Sequence, residues 1–349
     1  MNETKLTIGM PAGSLANPKR GGNLVNLLQN AGFRTKGYET GGPTQFSAIN
    51  FFFGWDGRPQ EFGCQLGINE LDIAIAGDDW IRERILELEI EFKTKITLEK
   101  VLSLNRGDVK IVAIIDDRMN FSSIEELFKI FATEKKQIIL VSEMPYLALD
   151  WMRTSLEQLN LIHKFRKYSV QKYKTPPRID EGILIYETWG KTEAKVKNKG
   201  ADIGVEITQT GSAIKNYGLR IIDTIMESET GIWINPEVKK NPEKSELLRM
   251  FLLNIYGAVN AENKVLILFN VPNSSVKKIE TYLRQNNLFG DEPTKNVGDS
   301  FTEYNIQVDI SNPETPLAQI RYELAKRNAR NIDTIPITSS IRGIDTVEF

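Results

Sequence analysis

The segment Gly200–Gly218, GADIGVEITQTGSAIKNYG, constrains this chain more than any other. Ala201, Ile203, Val205 and Ile207 alternate with Asp202, Gly204 and Glu206, the period of two that a β-strand with one apolar face requires. The strand runs into Thr208, Thr210, Gly211 and Ser212 and then into a short helical stretch closed by Gly218. N–H groups at a helix start, the positive end of the helix dipole and three hydroxyls form a cradle for a phosphate, and Gly211 removes the side chain that would block close approach. Glu206, at the strand end, is placed to accept hydrogen bonds from sugar hydroxyls. The same residues also make an ordinary strand-to-helix turn with hydroxyl caps and no ligand.

The pattern has an echo earlier in the chain. Glu70–Asp79 reads ELDIAIAGDD, so that Asp72 matches Asp202 at one place in a strand leading to a polar turn and a helix. Two such units suggest two α/β lobes whose strand ends face a shared cleft, where α/β sheets bind ligands; convergence on a common strand pattern is the other reading. Strands over Leu6–Ala12 and Leu71–Gly77 fit a first lobe. VKIVAII, QIILVS, GILIYET and ADIGVEI, alternating with helices over Ser122–Ala132 and Tyr146–Asn160, fit a second lobe that starts near Asn105. LRIIDTIMESETGIWIN is strand-like and long enough to cross back. The expected boundaries are 1–104 with 219–257 for lobe I and 105–218 for lobe II.

From Val259 the order becomes βαββαβ, with strands over Lys264–Val271, near Pro293–Gly298, over Thr302–Ile310 and over Asn331–Ile337, which suits a ferredoxin-like module over 258–349. Nothing in it looks catalytic, and it reads as a regulatory or oligomerising domain. The expected fold class is thus α/β, with two periplasmic-binding-protein-like lobes around a cleft and this third domain.

Composition narrows the chemistry. A chain of 349 residues, 41% hydrophobic and 26% charged, buries a sizeable core. One cysteine, Cys64, and one histidine, His163, leave no disulfide framework and no histidine or cysteine zinc cluster, and they argue against Ser-His or Cys-His triad chemistry. The net charge of −2 offers no overall attraction for nucleic acid or anionic membrane. No apolar run approaches a membrane span, and the N-terminus lacks a basic segment followed by an apolar signal core, so a cytoplasmic location and neither membrane nor nucleic-acid partners are expected.

In order along the chain, these motifs resemble those of ATP phosphoribosyltransferase in its long form. Glu193, eight residues before Ala201, followed by Asp202, Glu206 and TQTGSAI, resembles the family's phosphoribosyl-diphosphate loop. IGMPAGSL resembles its opening strand and turn, RPQEF at Arg58–Phe62 its Arg-Pro-x-Asp-Ile segment, LDIAIAGDD an early strand, SEMP at Ser142–Pro145 its Thr-Glu-Tyr-Pro, and GLRIIDTIMESETGIWIN the returning strand pair. The resemblance implies Mg²⁺-dependent attack of adenine N1 of ATP on the anomeric carbon of phosphoribosyl diphosphate. It also implies a hexamer or dimer, and a histidine effector at the C-terminal domain. By the same resemblance Glu206, Lys110 and Arg58 are the catalytic candidates, and Glu206, Thr208, Gln209, Thr210, Gly211, Ser212 and Ala213 bind phosphoribosyl diphosphate. Ala12, Gly13, Ser14, Arg58, Asp72 and Glu143 bind ATP, and the Mg²⁺ is carried by substrate phosphates with no dedicated protein ligands.

The chain also departs from that pattern. Ala12 and Ser14 stand where Lys and Arg are usual, Glu206 for Asp, Gln209 for Ser or Thr, and Ala213 for Thr, which leaves a non-catalytic or substrate-altered two-lobed binding protein as the alternative. Lys19 and Arg20 are candidate substitutes for the missing cations. The insertion His163–Arg178, HKFRKYSVQKYKTPPR, is basic and aromatic; it reads as a solvated hairpin or loop, or as a cover for the cleft that supplies cations. Asp116 with Asp117 reads as a solvated turn pair, and FFFGW at Phe51–Trp55 as a strand packing inward or against another subunit.

Overall fold

The computed structural model describes residues 4–13, 15–16, 23–288 and 294–347. Ser14, Lys19, Arg20 and Pro293 lie outside them. The chain divides into two compact units, Met1–Val25 with Thr35–Leu247, and Asn26–Arg34 with Leu248–Phe349.

The elements in order are β1 (Leu6–Pro11), α1 (Leu24–Asn30), β2 (Thr35–Lys36), β3 (Gln45–Phe46), β4 (Phe52–Gly57), α2 (Pro59–Gly67), β5 (Ile73–Gly77), α3 (Asp78–Phe92) and β6 (Glu99–Ser103). There follow β7 (Val109–Asp116), α4 (Ile124–Glu134), β8 (Gln137–Ser142), α5 (Pro145–Gln158), β9 (Tyr168–Lys172), β10 (Gly182–Glu187), α6 (Thr192–Lys197), β11 (Ile203–Thr208), α7 (Ser212–Asn216) and β12 (Leu219–Ser228). The chain ends with β13 (Thr230–Ile234), α8 (Pro242–Ala261), β14 (Lys264–Pro272), α9 (Val276–Gln285), β15 (Thr294–Val297), β16 (Phe301–Asp309), α10 (Leu317–Lys326) and β17 (Arg330–Pro336).

The first unit holds two sheets. One has the order β4-β1-β5-β13-β6, the other β12-β7-β11-β8-β10-β9. In the first, β1, β4 and β5 run parallel and β13 antiparallel to β5. In the second, β8, β9, β10 and β11 run parallel and β7 antiparallel to β11. Strands buried on both faces read as apolar runs, and Ile111–Ile115 of β7 and Ile183–Ile185 of β10 are wholly inaccessible. These are the two α/β lobes of the expected class, joined by two crossings, at residues 104–108 and at Glu229.

The second crossing moves a boundary. β12 pairs with β7 from Leu219 to Ser228, so residues 219–228 belong to the sheet of lobe II and not to lobe I. Likewise 26–34 and 248–257 group with the C-terminal unit and not with lobe I. Both displacements have one cause: a strand or helix with apolar residues on one face is equally legible whichever core it joins. The insertion is also not a loop. Phe165 is buried, and Tyr168–Lys172 form the edge strand β9 beside β10. Lys167 and Lys172 pair with Glu181 and Glu187 at 2.7 and 2.6 Å, and the segment is not among the residues that line the cleft between the sheets. FFFGW follows the inward reading in part: Phe52 is buried in β4 while Phe53 and Trp55 on its other face are exposed.

In the second unit the antiparallel order β15-β16-β14-β17 with α9 and α10 completes the ferredoxin-like βαββαβ arrangement. Val265, Ile267, Phe269 and Val271 of β14 alternate into its core with Tyr304, Ile306 and Val308 of β16. Ile279, Leu283, Ile320 and Leu324 cover them from the two helices.

Candidate active site

The ends of β1, β4 and β5 in the first sheet and of β11 in the second meet at one cleft of about 800 Å³. Lobe I contributes Ala12 and Gly13 after β1, Arg58 after β4, and Asp79 and Trp80 at the start of α3. Lobe II contributes Val109, Ile207, Gln209 and Ser228. An adjoining hollow of about 360 Å³ adds Asp108, Lys110, Glu227 and Glu229.

Arg58 reaches the cleft because Pro59 opens α2 and leaves Arg58 extended as the residue before the helix. Its guanidinium has no acid partner among the described residues. Lys110 is less free: its Nζ lies 2.8 Å from Glu227 Oε1, in a solvent-exposed pair.

The loop after β11 has the predicted form. Gly211 sits at φ +73, in the left-handed region, and a Cβ there would meet Ile221 at 3.6 Å, so conformation and not space demands glycine. Two of its amides are already capped from within: Gly211 N–H donates to Thr208 Oγ1 at 2.9 Å and Ser212 N–H to Thr210 Oγ1 at 3.3 Å. Thr210, Ser212 and Ala213 are exposed, while Gly211 between them is buried. A phosphate here would exchange with those hydroxyls for the amides.

Strand alternation divides the site. Ile207 and Gln209 face the cleft, while Glu206 and Thr208 leave the opposite face of β11, toward α6 and the end of β8. There Glu206 accepts from Ile207 N–H at 3.0 Å. Burial, with Glu193 and Glu143 as like charges nearby, pushes its carboxyl up to about 7. Glu143 is raised too, chiefly by burial, against a hydrogen bond from Gly190 N–H and the charge of Lys195.

Asp72 is not brought to the cleft. It lies before β5, at the far end of that strand, where it accepts from Thr7 N–H at 2.9 Å and pairs with Lys244 Nζ at 2.7 Å. The correction has a simple origin: the sequence reading fixed the strand of Asp72 but not which end of it the acid occupies. Asp116 departs from the solvated turn acid expected: it closes β7, is buried, and pairs with Arg118 at 2.7 Å, which holds its carboxyl well below the usual carboxylate range.

The sequence reading missed Asp79, Trp80, Ser228 and Thr230. Asp79 is buried, donates its N–H to Ser228 Oγ at 3.1 Å, and has a carboxyl raised by burial. A Cβ at Gly77 would collide with Asp79 Oδ1 and force that carboxylate to swing. The GDD after an apolar strand was the available signal for Asp79. Ser228 and Thr230 were hidden inside what read as one unbroken strand.

Fold and cleft together define a two-lobed α/β protein with loops at its strand ends facing the cleft. The family model for ATP phosphoribosyltransferase (HisG) matches residues 58–255, and the chain belongs to that family, whose enzymes are glycosyltransferases in type. ATP phosphoribosyltransferase 1 of Geobacter sulfurreducens is 26% identical over 344 residues, 96% of this chain and 99% of its own. ATP phosphoribosyltransferase of Solibacter usitatus is 27% identical over 283 residues, 78% of this chain and 80% of its own. The ATP phosphoribosyl transferase (HisG:HisZ) complex from Thermotoga maritima aligns with 72% of this chain and 98% of that chain, at 15% identity and a TM-score of 0.49. No helix among the described residues is long and apolar enough to cross a membrane.

Proposed function

We propose that this chain transfers a phosphoribosyl group from phosphoribosyl diphosphate to N1 of ATP, releasing pyrophosphate, as the first step of histidine biosynthesis. The observation that carries the reading is that Gln209, inside the hydroxyl-rich loop, and Arg58, at the head of α2, line one cavity from opposite lobes. Family membership supplies the reaction class.

In this reading the amides and hydroxyls of the 208–213 loop hold the 5-phosphate, and the ribose lies over the end of β11, where its hydroxyls donate to ionised Glu206 on the face away from Gln209. The N1 lone pair forms the bond to the anomeric carbon as the bond to the diphosphate oxygen breaks, and the diphosphate leaves with that electron pair. No protein nucleophile is needed; positioning and charge stabilisation lower the barrier. Arg58 faces polyphosphate, with Lys110 at the rim, while Ala12, Gly13 and Glu143 are assigned to ATP.

Asp78, Asp79, Asp108, Glu227 and Glu229 border the two hollows, so a polyanion would meet several carboxylates there. These carboxylates suit a diphosphate that carries its own Mg²⁺, which when bound would neutralise charge on the leaving group. Cytoplasmic location, a hexameric or dimeric assembly and inhibition by histidine at the C-terminal unit belong to the same proposal.

The acid-rich rim also favours a second reading, a substrate-altered or non-catalytic member that binds a small molecule between the lobes. A pyrophosphate-release assay with ATP, phosphoribosyl diphosphate and Mg²⁺, with and without histidine, separates them. Turnover supports the transferase. Its absence, together with calorimetric binding of a nucleotide or amino acid, supports the second.

A further inference from the structure

The C-terminal unit has a hollow of its own, about 560 Å³, along the surface where α9 and α10 lie side by side. That is the size of a small-ligand pocket. Lys277, Lys278, Thr281 and Tyr282 line it from α9, Lys326 from the last turn of α10 and Arg327 from just after it. The spacing is helical: Lys277 and Thr281 are four residues apart on one stripe, Lys278 and Tyr282 on the next.

Four cations thus converge on one groove. Glu323 pairs with Arg327 and lies 3.9 Å from Lys326, while Lys277 and Lys278 have no acid partner among the described residues. Arg327 rests on the Tyr282 ring, 4.3 Å from its centre, which fixes one cation in place. Local stability does not explain the lysines. They occupy the first turn of α9, which contains no acid, and cations there oppose the helix dipole. Lysines gathered against their own repulsion are suited to a ligand bearing several negative charges, and lysine is a point-charge partner for phosphate.

We propose that this groove binds a small polyanion with two or more phosphoryl groups, free or as part of a nucleotide. The inference is independent of the chemistry assigned to the cleft between the lobes.

The test is calorimetric titration of the full chain with inorganic tripolyphosphate. The variant Lys278→Glu/Lys326→Glu is compared with the parent, and with Lys93→Glu/Lys129→Glu as a control of equal charge change far along the sequence. Both pairs are run also on a Gly211→Val background, intended to remove binding at the β11 loop. Melting curves identify any variant that fails to fold, and Lys278→Gln then replaces the double change. The expected result is a binding event in the parent that weakens at least tenfold in the groove variant and not in the control, with the same pattern on the Gly211→Val background. ADP displacing tripolyphosphate there assigns the source as a nucleotide; failure to displace it assigns free polyphosphate. Equal affinity in parent and groove variant would overturn the proposal, as would a single-stranded oligonucleotide that binds the groove more tightly than tripolyphosphate with the same charge dependence.

Discussion

Asp72 and Asp202 hold equivalent posts in the two lobes. Each precedes a central strand and exchanges backbone hydrogen bonds with a neighbouring one: Asp72 N–H donates to Thr7 O at 3.0 Å while Thr7 N–H donates to its carboxylate at 2.9 Å. Asp202 N–H donates to Ile139 O at 2.8 Å while Ile139 N–H donates to its carboxylate at 2.9 Å. A lysine closes each arrangement, Lys244 on Asp72 and Lys135 on Asp202. The sequence echo therefore marks a repeated strand-start clasp, not a pair of ligand-binding acids.

Asp72→Asn should consequently lower stability and spare ATP. Losing a charge-assisted, partly buried pair is expected to cost about 1–3 kcal/mol. Thermal melting should show the loss, while KM for ATP stays within twofold of the parent. A tenfold rise in KM with unchanged melting would restore Asp72 to the site.

Gly211→Val should act through backbone conformation. A β-branched residue at φ +73 is strained by roughly 1–2 kcal/mol, and its Cβ would make only ordinary contact with Ile221 at 3.6 Å, so the chain should fold and melt somewhat earlier. The affinity for phosphoribosyl diphosphate is expected to drop at least tenfold in a binding titration. An unaltered affinity would remove the loop from the phosphate site.

The carboxyl of Glu206, raised to about 7 by burial with Glu193 and Glu143 nearby, sets an acid limit. As hydrogen-bond acceptor it must be ionised, so kcat/KM should fall as pH drops below 7, and Glu206→Gln should flatten that limb while lowering the plateau. A pH profile measured from 5.5 to 8.5 decides it.

Arg58→Ala should weaken polyphosphate binding by about 2–3 kcal/mol, the scale of a charge-assisted hydrogen bond. Arg58→Lys should recover part of this, because lysine keeps the charge but not the planar fork. KM for both substrates and the salt dependence of kcat/KM are the measurements. Equal kinetics for Arg58→Ala and the parent would exclude it.

Glu83 predicts a pH effect on stability. It is wholly buried in α3, with its two oxygens accepting from Tyr146 N–H and Leu147 N–H at the start of α5, at 3.1 and 2.7 Å. Burial outweighs those amides and pushes its carboxyl up to about 7 from an ordinary 4.5. The folded state therefore holds the proton more tightly than the unfolded chain, and stability falls as pH rises from 4.5 through 7. Relative to Glu83→Gln, which does not titrate, the parent should lose roughly 2–3 kcal/mol over that window and run parallel above it. Parallel melting curves across the whole range would refute the assignment.

Much of this molecule was legible in order along the chain. Period-two alternation located β11, apolar runs located β5, β7, β8 and β10, and Gly218 marked the end of the helix after β11, because local sterics and burial write themselves into sequence. The βαββαβ tail was readable for the same reason, as was the turn at Gly211, where φ > 0 leaves few residue choices. Ser228 and Thr230 were not legible as cleft residues. A single break at Glu229 sends the two halves of one apolar stretch to different sheets, and no local pattern records such an exchange. The basic insertion was misread for a related reason: an edge strand with one buried face looks like a charged loop until its neighbour β10 is known.

By itself the sequence determined most of the strands and helices, the class of the fold, the family and the turn at Gly211 in the β11 loop, since these depend on neighbours a few residues apart. Only the tertiary structure decided that Arg58 and Gln209 share a cavity while Asp72 faces away from it, and that Glu206 leaves β11 on the side opposite Gln209. Those outcomes depend on which end and which face of a strand meets another lobe, a matter of packing between residues far apart in the chain.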